Sequence, residues 1–291
     1  MLERDAARPM VVETKLGNVE YAESGSGPAV VCLHGAMGGY DQSLILARTV
    51  CDPEFRFVAV SRPGYLGTPL ASGRTAEGQA DLCAALLNKL GIDKAAAIAV
   101  SGGGPCALQF ALRHPDRCRG LVLISTCGDV IDEKIPLRFH MIKGMAHFPS
   151  ILEKMKRKAL QDFEKTARQS IEDPELCRRT VNDPVVGPLF RELTASTFDR
   201  MAQRLAGTEN DIKVTRTATY PLEQIQAPTL IVHGTADKIV AYAKHATALS
   251  TRIPGAELLT IDGGEHVSIF THRETVKARV MEFLGRTKDK R

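Results

Sequence analysis

Tryptophan is absent from this 291-residue chain and only 5% of its residues are aromatic. Stacking platforms for nucleobases and aromatic cages for quaternary amines therefore have little to be built from. Charge of one sign is equally scarce. The 38 Lys and Arg against 34 Asp and Glu leave a formal net charge of +4, well mixed along the chain and too small a surplus for a nucleic-acid footprint. The seven cysteines include no C-x-x-C pair, which speaks against a zinc knuckle or a thioredoxin-like redox site and fits a reducing compartment. Most sit inside apolar segments, as small buried hydrophobes do. Long hydrophobic runs are missing too: stretches such as Ala95 to Val100 stop far short of the ~18 residues that a bilayer crossing needs. The opening MLERDAARPM is charged and unlike a secretory signal. The expectation is a cytoplasmic protein, monomer or homodimer, whose partner is a small molecule and neither nucleic acid nor membrane.

What is present is ordinary globular material, 44% hydrophobic and 25% charged. A chain of this length can bury roughly 75% of its unfolded surface, so it needs no disulfide or metal framework. Short apolar runs of β type recur at Met10 to Leu16, Val19 to Ala22, Ala29 to Leu33, Phe57 to Ser61, Ala95 to Val100, Gly120 to Ser125, Thr229 to His233 and Glu257 to Ile261. The first two suit a hairpin through Leu16-Gly17-Asn18, and the others read as strands buried on both faces of a parallel sheet. Helical spacing follows at Ala76 to Leu90, Pro105 to Arg113, Val240 to Arg252 and Thr271 to Leu284. This alternation predicts an α/β fold with a mostly parallel, eight-stranded, doubly wound sheet. Residues 129–226 break the rhythm: they lack a convincing strand and carry segments of helical spacing such as Leu152 to Arg168 and Leu189 to Leu205. We read them as a helical cap inserted into a core made of residues 1–128 and 227–291. Ligand sites in such sheets lie at the strand carboxyl ends, so the cap is expected over the site.

The segment Ala95 to Pro105 runs a strand directly into a helix through Ser101, with Ala99 and Gly103 two positions to either side. A serine on so sharp a turn needs small neighbours there, because a larger Cβ would strike the adjacent strand or the opening helix. The turn lifts the serine oxygen clear of the sheet and aims the Gly102 amide at negative charge developing on a bound carbonyl. Pro105 fits the first helical turn.

Ala99-Val100-Ser101-Gly102-Gly103 resembles the nucleophile elbow of the α/β-hydrolase family, with Ala where Gly is commonest. Three further segments follow in family order at strand ends: His34-Gly35-Ala36-Met37-Gly38-Gly39, similar to an HGxxG turn; Gly234-Thr235-Ala236-Asp237; and Gly263-Gly264-Glu265-His266. The resemblance spans roughly Ala29 to the C-terminus, with the cap as its least characteristic part. It implies a catalytic Ser101 nucleophile, His266 as base and Asp237 as the carboxylate orienting it, without cofactor or metal. Asp129, after the strand Gly120 to Ser125, stays open as a rival acid. The implied oxyanion donors are the backbone amides of Ala36 and Gly102, with Met37 a substitute for Ala36. Substrate-binding residues are not identified, although Phe139, Met141, Met145 and Phe148 offer an apolar lining.

The implied activity is hydrolysis of an ester-like bond in a small apolar substrate through an acyl-Ser101 intermediate, as in a carboxylesterase. Lactonases, carbon-carbon bond hydrolases, aminopeptidases, acyltransferases and perhydrolases use the same triad, and hydrolase-fold receptors retain it without turnover. Serine at the elbow argues against haloalkane dehalogenases and epoxide hydrolases, whose nucleophile is a carboxylate. HGAMGG in place of HGGPG argues against proline iminopeptidases. The competing dinucleotide pattern in Gly102-Gly103-Gly104-Pro105-Cys106-Ala107 comes late in the chain and leaves the other three segments unexplained. Arg62 to Gly67 reads as scaffold, His34 as structural, Glu265 as solvated, and His114, His140 and His147 as surface or packing residues.

Overall fold

The computed structural model describes residues 8–131, 143–217 and 219–287. Eight strands form one sheet in the order β1-β2-β4-β3-β5-β6-β7-β8. They are β1 (Met10–Thr14), β2 (Gly17–Ser24), β3 (Ala29–Leu33), β4 (Arg56–Val60), β5 (Ala95–Val100), β6 (Cys118–Ile124), β7 (Thr229–Gly234) and β8 (Glu257–Ile261). The pairs β1/β2 and β2/β4 are antiparallel and all others are parallel. The β1–β2 turn differs from the expected one: Thr14 pairs with Gly17, so Lys15 and Leu16 form the loop, and Gly17 takes the positive φ of 119°.

The interior strands read as apolar runs because both faces are covered. Alternate residues Val31, Leu33, Ala97, Ala99, Leu121 and Leu123 join one core, while Val30, Cys32, Ala96, Ile98, Val122 and Ile124 join the other. The two-residue period of a strand assigns each side chain to its layer. On the first face pack α2 (Ala76–Lys89), α3 (Gly104–Arg113) and α9 (Tyr242–Arg252). On the second lie α1 (Tyr40–Val50) and α11 (Arg273–Thr287), the latter preceded by the single turn α10 (Ser268–Thr271). Each fully buried Leu, Ile or Phe in these layers contributes about 1.5–3 kcal/mol. Thr75 caps α2 by accepting the Gly78 N–H at 3.1 Å.

Between β6 and β7 the described residues hold no strand, and their longer helices are α4 (Pro149–Gln161), α5 (Phe163–Ala167), α6 (Pro174–Asn182), α7 (Val186–Phe198) and α8 (Ala202–Thr217). The two segments of helical spacing each form more than one helix. Asp162 divides the first, and Asp199 to Met201 divide the second, with Arg200 at φ 52° turning the chain from α7 into α8. The insertion shares its core with the sheet through Phe163, Leu189 and Phe190, and Phe190 stacks on Phe270 with ring centroids 4.9 Å apart. The seven cysteines are free and buried.

Candidate active site

Ser101 sits between β5 and α3 at φ 51°, a left-handed conformation that costs a non-glycine residue about 1–2 kcal/mol. Its neighbours explain how the turn closes. A Cβ on Gly103 would lie 2.6 Å from Leu33 O and 2.8 Å from His34 O, both backbone atoms, so only glycine fits against β3 there. Ala99 is fully buried in the sheet.

Two further loops bring partners to this serine. Gly234, at the end of β7, lies so close to Gly264 that an added Cβ would meet its carbonyl oxygen at 2.0 Å. Hydrogen bonds of 3.0 Å from Thr235 N to Ile261 O and 2.9 Å from Ala236 N to Gly264 O join the loops after β7 and β8. This close approach places His266 Nδ1 2.8 Å from Asp237 Oδ2 and His266 Nε2 3.1 Å from Ser101 Oγ. The carboxylate only accepts, so Nδ1 carries the imidazole proton and Nε2 is left to accept the serine hydroxyl.

The Asp237 side chain is fully buried, whereas the His266 side chain is 18% exposed. Burial works to raise the Asp237 pKa. Hydrogen bonds from His233 and His266, the charge of His266 and the Val240 N–H overcome it and hold the carboxyl well below its ordinary value. Asp237 Oδ1 accepts from Ile239 N and Val240 N, each at 2.9 Å. His233 Nε2 donates to Val240 O at 2.8 Å and stands 3.4 Å from Asp237 Oδ2, a second imidazole on the same carboxylate that the sequence reading did not single out. Asp129, the rival acid, instead accepts the N–H of its neighbour Val130 at 2.7 Å.

The turn after β3 abuts the serine. A Cβ on Gly35 would lie 3.1 Å from Ser101 Cβ, and one on Gly102 would lie 3.5 Å from Ala36 N. The Met37 N–H, the substitute for Ala36, is given to Thr208 Oγ1 at 3.0 Å. His34 is a buried structural residue: Nδ1 donates to Gly35 O at 2.6 Å and Nε2 accepts the Arg62 N–H at 3.1 Å. Burial, reinforced by Arg62, keeps its pKa well below the ordinary value.

Arg62 does more than the scaffold role expected of it. It pairs with Asp211 of α8 through bonds of 2.7 and 2.5 Å, the two side chains being 1% and 8% exposed. Tyr65 Oη donates to Asp211 Oδ2 at 2.5 Å. Burial alone would lower the Arg62 pKa, but Asp211 and Tyr65 keep it above its ordinary value. Arg204, also on α8 and fully buried, pairs with Asp41 at 2.6 Å. No motif marks these α8 residues; the trace they leave is the helical spacing of Arg204, Thr208 and Asp211 on one face.

One surface expectation needs correction. Glu265 is not merely solvated: its carboxylate accepts the Glu172 N–H at 3.0 and 3.1 Å and ties the insertion to the His266 loop. His114 is a surface and packing residue as expected, with Nε2 2.8 Å from Asp81 Oδ1 and its ring near Phe110. Of the suggested apolar lining, Phe139 and Met141 lie outside the described residues, as does His140, and Phe148 is 55% exposed. A cavity of about 280 Å³ opens within the insertion instead, lined by Leu152, Lys156, Phe198, Met201 and Gln203 among others.

A doubly wound sheet with a Ser-His-Asp chain at its strand ends is the arrangement of α/β hydrolases. A model of the alpha/beta hydrolase fold matches residues 28–273, and the chain belongs to that family. Among solved structures, an alpha/beta hydrolase fold protein from Nakamurella multipartita is similar with a TM-score of 0.80 and 32% identity, over 95% of this chain and 99% of that one. A poly(3-hydroxyalkanoate) depolymerase from Ectopseudomonas oleovorans is 28% identical over 80% of this chain and 76% of its own length. A 2-hydroxy-6-oxononadienedioate/2-hydroxy-6-oxononatrienedioate hydrolase from Burkholderia vietnamiensis is 26% identical over 92% of this chain and 91% of its own. Hydrolysis is the class of reaction that this family membership assigns to the chain.

Proposed function

We propose that this chain is a serine hydrolase that cleaves an ester-like bond of a small, apolar substrate. The observation that carries the reading is the continuous chain from Ser101 Oγ through His266 to Asp237, with bonds of 3.1 and 2.8 Å. Ser101 Oγ attacks the carbonyl carbon while its proton passes to His266 Nε2, and the buried Asp237 carboxylate stabilises the imidazolium. The negative oxygen of the tetrahedral intermediate is held by the Ala36 and Gly102 amides; one such donor is worth about 100- to 1,000-fold in rate. Collapse expels the alcohol, which takes the proton from His266 and leaves acyl-Ser101. Water then attacks with His266 again as base, releasing the acid and restoring the serine.

The helical insertion, spanning residues 129–226, acts as a cap over this site. Its α8 meets the segments that follow β3 and β4, through Thr208 on Met37 and Asp211 on Arg62. An apolar substrate suits the cavity of the insertion, which Leu152, Phe198 and Met201 help to line. Seven buried free thiols fit a cytoplasmic site of action. A second substrate class, a 2-hydroxy-6-oxo dienoate, is favoured by the Burkholderia vietnamiensis relative, which is matched over 91% of its length.

The test is intact-protein mass after exposure to a fluorophosphonate, with Ser101→Ala in parallel. A p-nitrophenyl ester panel of increasing acyl length and an oxo-dienoate follow. One adduct that vanishes in the variant, together with ester turnover, is expected. Turnover of the oxo-dienoate alone would shift the substrate class, and an unlabelled protein without turnover would favour a ligand receptor.

A further inference from the structure

The Gly35 carbonyl is held from behind by His34 Nδ1 at 2.6 Å and by Arg62 Nη2 at 3.3 Å. No peptide bond among the described residues is cis. In a trans peptide the N–H points opposite to the C=O, so fixing the Gly35 oxygen also fixes the direction of the Ala36 N–H, and Ala36 N lies beside Gly102, 3.5 Å from where a Cβ on that residue would be. The next peptide is held just as firmly, and from the insertion. Thr208 Oγ1 donates its own hydrogen to Arg204 O at 2.9 Å, which leaves its lone pairs to accept the Met37 N–H at 3.0 Å. Met37 O accepts from Gln42 Nε2 at 3.2 Å and from Arg204 Nη1 at 3.4 Å. Met37 itself stands at φ 58°, a conformation of the kind that persists only where the surroundings over-determine it. The Arg62 guanidinium, in turn, is oriented by Asp211 of the same helix α8.

Resting on the serine-hydrolase reading above, we propose that α8 sets the oxyanion amide. Thr208 and Asp211 are positioning residues that aim the Ala36 N–H from the cap side, so the donor pair is complete only when α8 is docked. Apolar contact does not fix the direction of an amide, whereas a hydroxyl on one peptide and a guanidinium on the one before it do.

The test is Thr208→Val, which keeps the shape and removes the acceptor, beside Thr208→Ser, which restores it. Losing a donor outright costs about 100- to 1,000-fold, so loosening one is expected to lower kcat about tenfold. KM for p-nitrophenyl esters should stay within about twofold of wild type, since the ground-state carbonyl demands less of the amide than the oxyanion does. Thr208→Ser should recover most of kcat. If Thr208→Val does not fold, Thr208→Ala, which puts no methyl against the Met37 amide, takes its place. A Thr208→Val enzyme with unchanged kcat overturns the proposal. So does a parallel loss of kcat, KM and Tm that serine does not rescue, because that is mere scaffolding. A wild-type protein with no Ser101 adduct and no ester turnover overturns the serine-hydrolase reading itself, and the proposal falls with it; an adduct with indifferent Thr208 variants overturns the proposal alone.

Discussion

Replacing Asp237 by asparagine separates chemistry from architecture at this site. Asp237 Oδ1 accepts two backbone N–H groups at 2.9 Å, while Oδ2 faces His266 Nδ1 at 2.8 Å and His233 Nε2 at 3.4 Å. An asparagine must keep its carbonyl oxygen on the two backbone donors, so its NH2 takes the Oδ2 position. A donor there obliges His266 Nδ1 to accept and moves the imidazole proton to Nε2, where it faces Ser101 Oγ. The imidazole then has no lone pair for the serine proton. In serine proteases the corresponding change costs about 10,000-fold in kcat, or about 5 kcal/mol of transition-state stabilisation, and a similar loss is expected here. The fold should survive, because the backbone bonds from Ile239 and Val240 remain. Losing the charge-assisted bonds to two histidines costs about 1–3 kcal/mol, a Tm decrease of roughly 2–5 °C. The assay is pre-steady-state p-nitrophenyl ester cleavage with fluorophosphonate labelling, beside a thermal melt. A folded Asp237→Asn protein whose kcat stays within about tenfold of wild type would refute the tautomer argument.

Other expectations follow from the same contacts. Asp211→Ala strands the Arg62 guanidinium and should destabilise the protein by about 3–5 kcal/mol, read as a lower urea midpoint; a change below about 1 kcal/mol would mean that water or another anion replaces the carboxylate. Gly103→Ala places a Cβ 2.6 Å from Leu33 O and should cost at least about 1–3 kcal/mol along with esterase activity. Gly285→Ala, in α11 with nothing within 4 Å of the new Cβ, should instead stabilise by about 0.5 kcal/mol. Calorimetry distinguishes the two signs. Acid should weaken the fold through His34, whose folded pKa lies well below its ordinary 6.5. The unfolded chain takes up the proton first, so this contribution is whole above about pH 6.5 and is lost as pH falls, by up to about 1.4 kcal/mol per unit. His272, lowered by burial and Arg179, acts in the same direction. A urea midpoint that stays flat from pH 7 to 5 contradicts this.

The five interior strands β3 to β7 were legible because a parallel sheet covered on both faces demands unbroken apolar runs, whereas β1 and β2 showed as short β-type runs close enough to pair as a hairpin. The serine turn was legible for a related reason: close backbone approach at Gly103 and at Gly234 against Gly264 admits no other residue, and such constraints show in sequence. Helix α1 was not, because Gln42, Ser43 and Thr49 are buried on it and interrupt the apolar stripe that announces a helix. Each is satisfied by a partner that sequence does not reveal, as when Ser43 Oγ donates to Val60 O at 3.1 Å. The breaks at Asp162 and Arg200 escaped notice because neither glycine nor proline marks them.

Helix α8 hid its role most completely, and the reason is physical. It carries charge on its buried face, with Arg204 and Asp211, as well as on its exposed face, so no apolar stripe separates inside from outside. Burying an ion pair is a poor way to gain stability, since desolvation consumes most of the attraction. What the pair of Arg62 and Asp211 supplies is direction. Bidentate bonds of 2.7 and 2.5 Å hold a planar guanidinium in one orientation, and its Nη2 reaches Gly35 O at 3.3 Å, the carbonyl of the peptide that carries the Ala36 N–H. Packing of Met37 against the apolar cluster that holds Met201 and Leu205 brings the same surfaces together but tolerates sliding. A hydrolase that must aim an amide at a developing charge has use for the directional contact. On the oxyanion role proposed for Ala36, that use is a reason for a polar docking face where apolar packing would have served stability better.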